Sequence, residues 1–367
     1  MHTSLTASDR AMLQLLCAGL YDDPSLLEGF AGLTPAGWET LYVQAKRQTV
    51  SGIICHALAM LPDSLLPPYG LLLRWVARVH SIETSYSRMS RALASLLDLF
   101  AAAGLRPVLQ KGHGVARFYS TPSLRVCGDI DLYFPEEQQQ QADALIASRG
   151  ISLHHAPDGS TCYLWQGVEV EHHSSLIQLH SPFRRKALRR LLASEGTVDI
   201  NVGASVPAAV LTPLADLLMI NVHIMKHSLG AGIGLRHFCD YSLAYAALIP
   251  AIGVERYKEA CHALGILRWT DVLHSFINSS LPSSGSPLPV LGREASADTL
   301  RRLSSMVMEG GNFGLYRHSS DRMPRNAWSR KLGTFFSFLR HSGFTVRIAP
   351  AEAMWMIMKL TRGQLHV

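Results

Sequence analysis

No Cys-x-x-Cys pair occurs in the chain; its six cysteines, at 17, 55, 127, 162, 239 and 261, are scattered. That pattern excludes a zinc ribbon and a small disulfide-built scaffold, and it fits a reducing cytosol. Long apolar runs are missing too. No stretch reaches the roughly 18 residues needed to span a bilayer, and the first residues show no basic segment followed by an apolar run and a small-residue cleavage site. The expectation is a soluble, cytoplasmic protein with no membrane partner. An excess of one charge is modest, +6 over 367 residues, and no basic strand interleaved with aromatics offers a surface for nucleic acid. The densest basic run, Arg184 to Arg190, would spread its arginines over a wide arc of a helix, as a solvated face or a polyanion site. His223 and His227 stand four apart, as zinc ligands on a helix can. They lack the intervening Glu of a zinc protease, so packing or capping near Gly230 is the reading preferred for them.

What the chain does contain is a large apolar fraction, 48%, enough to bury a core of two or three closely packed units. Residues 8 to 100 read as mostly helical, with Ser85 through Ala103 the clearest helix. Alternation and turn residues then give strands at 107–111, 129–134, 151–155, 161–166 and 167–175, with helices at 113–119 and 136–149. Thr212-Pro213 opens a long apolar helix to about Lys226, and helices continue over 236–278. LPSSGSPLP at 281–289 reads as a linker, and the tail from 295 is helix-like, with 313–344 unassigned.

The chemistry concentrates in residues 108 to 134, VLQKGHGVARFYSTPSLRVCGDIDLYF. Side chains alternate faces along a strand, so Asp129 and Asp131 point the same way with Cα atoms roughly 6.5–7 Å apart, while Ile130, Leu132 and Phe134 pack behind them. Two carboxylates so close call for a cation. Mg²⁺, or Mn²⁺, takes oxygen ligands and leaves room for substrate phosphates. Upstream, Lys111-Gly112 ends a strand with a cation and a residue that lets backbone approach a ligand, a turn suited to phosphate. Arg125 and Gly128 lead into the acidic pair. Arg125 could fork onto phosphate or brace the acidic strand.

The set Lys111-Gly112, Tyr119, Pro122, Arg125, Gly128-Asp129-Ile130-Asp131-Leu132 and Val168 to His173, with Asn221 to Tyr241 carrying paired His, an Arg and Asp240, resembles the nucleotidyltransferase superfamily that includes DNA polymerase beta. Within it, the chain is similar to the uncharacterised nucleotidyltransferase family of bacterial proteins. It departs from the superfamily's usual Gly-Ser or Gly-Gly after the first strand, having Lys111-Gly112-His113-Gly114. The resemblance implies an α+β fold: a mixed sheet with helices, flanked by helical regions. The divisions expected are 1–97 helical, 98–205 the nucleotidyltransferase core, 206–280 helical and 290–367 mostly helical. It also implies three acidic residues holding two Mg²⁺ ions, and transfer of a nucleoside monophosphate from NTP to an acceptor.

In GVEVEHHSSL, residues 167–176, Glu169, Glu171 and His173 share one strand face. The family's acidic-x-His pattern favours Glu171 over Glu169 as the third carboxylate, the plainer reading being an exposed face of solvated acids. The expected set is thus Asp129, Asp131 and Glu171 for metal and catalysis, with Lys111, Gly112, Arg125 and Gly128 for the nucleotide. A metal-dependent glycosyltransferase also uses Asp-x-Asp, but after an alternating strand–helix unit that residues 1–107 do not resemble. A non-catalytic nucleotide-binding or assembly protein on the same fold is the other alternative. The acceptor is open, with a protein, peptide or small molecule favoured over nucleic acid.

Overall fold

Thr6 and Asp9 cap the first helix reciprocally, each side chain accepting from the other's backbone N–H. The helix α1 (Ala7–Tyr21) packs beside α2 (Pro35–Arg47) and α3 (Ser51–Leu58). The computed structural model describes residues 5–156, 158–229, 232–311, 346–355 and 358. The expected unassigned stretch 313–344 and Gly230 lie outside them.

A long helix α4 (Tyr69–Ala102) leads into β1 (Val108–Leu109), and a short turn of helix α5 (Lys111–Ala116) follows. Then come β2 (Ile130–Tyr133), α6 (Glu136–Ala147), β3 (His154–His155), β4 (Thr161–Trp165), β5 (Val168–His173), α7 (Pro182–Ser194), β6 (Thr197–Ile200) and β7 (Ala208–Leu211). Helices α8 (Pro213–Leu229), α9 (Leu235–Ile252), α10 (Val254–Leu264), α11 (Leu267–Ser280) and α12 (Ala297–Gly310) follow. The strands form one mixed sheet in the order β3-β4-β5-β2-β1-β7-β6. The expected α+β fold with a mixed sheet is what the chain adopts.

Alternation explains which face is buried. Ile130, Leu132 and Phe134 are fully buried and pack with Val170, Leu96 and Phe100, leaving Asp131 on the opposite face. Strand β5 follows the same rule, with Val168, Val170 and His172 buried. His172 reaches that apolar side only because its ring is satisfied, by Asp143 at 2.7 Å and the Tyr163 hydroxyl at 2.8 Å. A second core joins α1–α3 to α8–α12 around Trp38, Trp75, Trp269 and Phe238. Helix α4 belongs to both: Leu71 and Trp75 lie in one, Met89 to Phe100 in the other. The boundary expected at residue 97 therefore falls within a helix that ties the two cores together.

Two strands escaped the sequence reading. Edge strand β6 is short and mostly exposed, and β7 is a four-residue buried run abutting the Pro213 helix start. Among the described residues no helix is long and apolar enough to cross a membrane.

One close approach fixes the site's approach loop. A Cβ on Gly52 would lie 2.3 Å from the Leu124 carbonyl oxygen, so only glycine lets α3 meet the 3₁₀ turn Pro122–Leu124 that delivers Arg125.

Candidate active site

The site begins where β1 ends. Gln110 N–H donates to the Asp131 carbonyl at 2.9 Å, continuing the pairing of β1 with β2. The chain then turns abruptly: Lys111 has φ 25° and Gly112 φ 30°. A positive φ at lysine is a strained conformation. A Cβ on Gly112 would stand 3.0 Å from the Asp129 carbonyl oxygen, so glycine is what allows this turn to lie against the acidic strand. The result aims Lys111 back over β2, its Nζ 3.3 Å from Asp131 Oδ1.

Strands β2 and β5 are parallel, with Asp131 directly opposite Glu171. His173, two residues further along the same face of β5, places Nε2 2.6 Å from Asp131 Oδ1 and Nδ1 3.5 Å from Glu171 Oε1. Asp131, Glu171 and His173 thereby offer ligand atoms within 4.8 Å of one another. Asp129 sits immediately before β2 and joins Asp131, Glu171, Lys111, Gly112 and Gly128 in lining a cavity of about 390 Å³, a volume suited to a small-molecule ligand. Glu169 is exposed on the same strand, two residues before Glu171, and is not among the residues lining that cavity.

The two aspartates are pushed in opposite directions. Burial, then the neighbouring Asp131 charge, raises the Asp129 carboxyl to about 6. Burial acts to raise Asp131 too, but Lys111 and His173 outweigh it and hold that carboxyl below the usual range. One carboxylate is thus firmly ionised and the other poised, a division typical of catalytic pairs.

A stability prediction follows. Because the folded-state Asp129 lies above its unfolded value of 3.8, its ionisation costs the metal-free fold stability, absent below about pH 4 and fully present above about pH 6. Asp129→Asn should therefore stabilise the metal-free protein by roughly 1–3 kcal/mol at pH 7.5, and much less at pH 4, in urea melts with chelator present. An equal difference at both pH values would contradict the assignment.

Helices α8 and α9 form the opposite wall, with His223, Lys226, His227, Arg236 and His237. Arg236 enters the sequence reading only as part of the family segment, and His237 not at all; the signal available was the Arg236-His237 pair opening a helix just after the glycine-rich sequence 230–234. Arg236 Nη1 donates to the Val126 carbonyl at 2.5 Å, while its buried Nε has no hydrogen-bond partner. Burial, and the nearby Arg125 charge after it, lowers the Arg236 pKa.

Arg125 lines the same cavity as the other nucleotide candidates but is engaged by protein. Its Nε and Nη2 each lie 2.7 Å from an Asp240 oxygen, and Tyr119 donates to Asp240 Oδ1 at 2.7 Å. The guanidinium fork is occupied by that carboxylate and only 4% of the residue is exposed. What it braces is Asp240 on α9, not the acidic strand expected from the sequence. Gly128 is exposed at the cavity rim with nothing within 4 Å of a Cβ position, so open space, not a tight turn, surrounds it.

A family model described as uncharacterised nucleotidyltransferase matches residues 34–277. That span holds every residue of both cavity walls. No curated protein matches the chain. Among solved structures, an antigenic nucleotidyltransferase-like protein from Paracoccidioides brasiliensis is similar at 12% identity and a TM-score of 0.33, over 54% of this chain and 93% of that one. Matched over most of its length, this chain belongs to the uncharacterised nucleotidyltransferase family.

Proposed function

We propose that the protein transfers a nucleoside monophosphate from an NTP to an acceptor oxygen in the cavity between β2, β5 and the α8–α9 wall. The observation that carries this reading is the register pairing of Asp131 with Glu171 across parallel strands, with Asp129 on the same side and a lysine held over the carboxylates. Asp131 and Glu171 offer oxygens close together and Asp129 lines the same cavity, a hard-oxygen donor set that fits Mg²⁺ or Mn²⁺. Held by Asp129, Asp131 and Glu171, two such ions would neutralise the triphosphate and lower the pKa of the acceptor oxygen.

The protein's own groups do the rest. In the reaction the acceptor oxygen forms a bond to the α-phosphorus and pyrophosphate leaves. Lys111 neutralises Asp131 in the metal-free protein, and a modest swing of its partly exposed side chain brings the ammonium to a phosphate. Arg236 lines the cavity, and among the described residues its guanidinium is bonded only to a backbone carbonyl, with no carboxylate partner; it is the guanidinium suited to the triphosphate, in place of Arg125. The strained Lys111-Gly112 turn fixes where that charge sits before substrate arrives. Asp129, poised near pH 6, makes metal affinity fall as the pH drops through that value.

The ranking of the two glutamates tests the reading. Glu171→Gln should bind Mg²⁺-NTP about as well as the unmodified protein yet transfer at least ~100-fold less label, because several kcal/mol of charge stabilisation act at the transfer step. Glu169→Gln, away from the cavity, should keep most activity. Labelled NTPs with purified protein and cell extract supply the assay. Two fully active variants would remove β5 from the mechanism.

A further inference from the structure

We propose that His223, His227 and His237 form a zinc-binding site on the α8–α9 wall, separate from the carboxylate cluster across the cavity. The i, i+4 spacing on α8 puts His223 and His227 on one helical face, edge to face with ring centroids 4.4 Å apart. The third ring comes from the start of α9, 5.9 Å from His223 and 5.5 Å from His227. One nitrogen from each lies within 4.8 Å of the others. Three imidazoles converging this closely at a cavity wall match the ligand set of a zinc site with three protein donors, the remaining position being taken by water or substrate.

The local chemistry prepares the rings for a metal. His237 Nδ1 lies 3.3 Å from the Gly234 carbonyl oxygen. A carbonyl can only accept, so this contact places the proton on Nδ1 and makes Nε2 the unprotonated nitrogen of the neutral ring. Such a backbone contact is what fixes tautomer and ring orientation in zinc sites. Burial, with Arg236 and Lys226 next in weight for His237 and His227, keeps those rings neutral, and burial with Lys111 does the same for His223. Neutral imidazole is the form that coordinates. Nitrogen donors select zinc over magnesium, whereas the oxygen donors of Asp129, Asp131 and Glu171 select the reverse.

The same cations that keep the rings neutral also repel a divalent ion. Lys111 is largely offset by its contact with Asp131, and Asp129 and Glu171 face the cavity opposite. Three coordinate bonds act against the remaining repulsion, and an anionic substrate in the cavity would remove more of it. Packing alone, the role read from the sequence, does not require three imidazoles to gather at the edge of a cavity.

The test separates this site from the carboxylates. Chelator-treated protein carrying Asp131→Asn and Glu171→Gln should still take up one equivalent of Zn²⁺, by metal analysis and calorimetry. Its Co²⁺ form should show the visible absorption of a four-coordinate site. Adding His227→Asn or His237→Asn to that background should weaken Zn²⁺ binding roughly 100-fold or more and abolish the Co²⁺ bands, with thermal melts confirming that each variant is folded. Zinc uptake that vanishes with the carboxylate changes, persists in both histidine variants, or never occurs would overturn the proposal. Retained nucleotidyl transfer in the Asp131→Asn, Glu171→Gln protein with zinc still bound would count against the carboxylate reading alone.

Discussion

Asp131→Asn should lower metal-dependent NTP turnover by roughly 10³-fold or more, equivalent to the several kcal/mol a metal-held charge contributes at a phosphoryl centre. Asp131 is singled out over Asp129 because it is the carboxylate held ionised, by Lys111 and His173 against the pull of burial. Asparagine keeps the size and leaves an amide oxygen to accept from His173. Lys111, with 23% of its side chain exposed, can turn to solvent when its partner's charge is removed. The loss should therefore be one of chemistry with the fold retained. Pyrophosphate release in Mg²⁺, followed alongside circular dichroism, measures both, and near-normal turnover in a folded Asp131→Asn protein would displace the metal site from β2.

The features legible in the sequence share a short range. The alternation of Ile130, Leu132 and Phe134 against Asp129 and Asp131 spans six residues and needs only strand geometry to be read. The same holds for Val168, Val170 and His172 against Glu169, Glu171 and His173. Lys111-Gly112 was readable as a special turn because glycine next to a cation has few other uses at a strand end. The register that sets Glu171 and not Glu169 opposite Asp131 depends on how β2 and β5 slide past each other, which is a tertiary quantity.

The less legible parts depend on partners far away in the chain. Whether Arg125 faces a phosphate or a protein carboxylate is decided by Asp240, 115 residues later, and no local pattern contains that pairing. The histidine pair at 223 and 227 could be read as packing because His237, which completes the cluster, lies near the start of another helix. Strand β7 was lost because its four buried residues directly precede the apolar helix α8, where apolar runs of a strand and a helix cannot be separated by periodicity.

Arg125→Ala should destabilise the fold by about 3–5 kcal/mol, the usual cost of removing one member of a buried ion pair. Asp240 would remain buried with Tyr119 as its main hydrogen-bond donor, its charge taken from water and no longer matched by the guanidinium. Arg125→Lys should recover little, because an ammonium cannot reproduce the two parallel bonds at 2.7 Å. Asp240→Asn should be equally damaging, since it leaves Arg125 and the nearby Arg236 as buried like charges. Replacing both partners by apolar residues of similar volume should restore part of the loss. Acid should reveal the same pair. Burial raises the Asp240 carboxyl but Arg125 outweighs it and holds it below 3.8, so the pair's stabilisation is present above that value and fades as pH falls through the depressed one. Urea midpoints for the two single variants and the double replacement, compared at pH 7, supply the measurement. If Arg125→Ala leaves the midpoint unchanged but weakens binding of a non-hydrolysable NTP, the guanidinium serves the nucleotide and the bracing role is wrong.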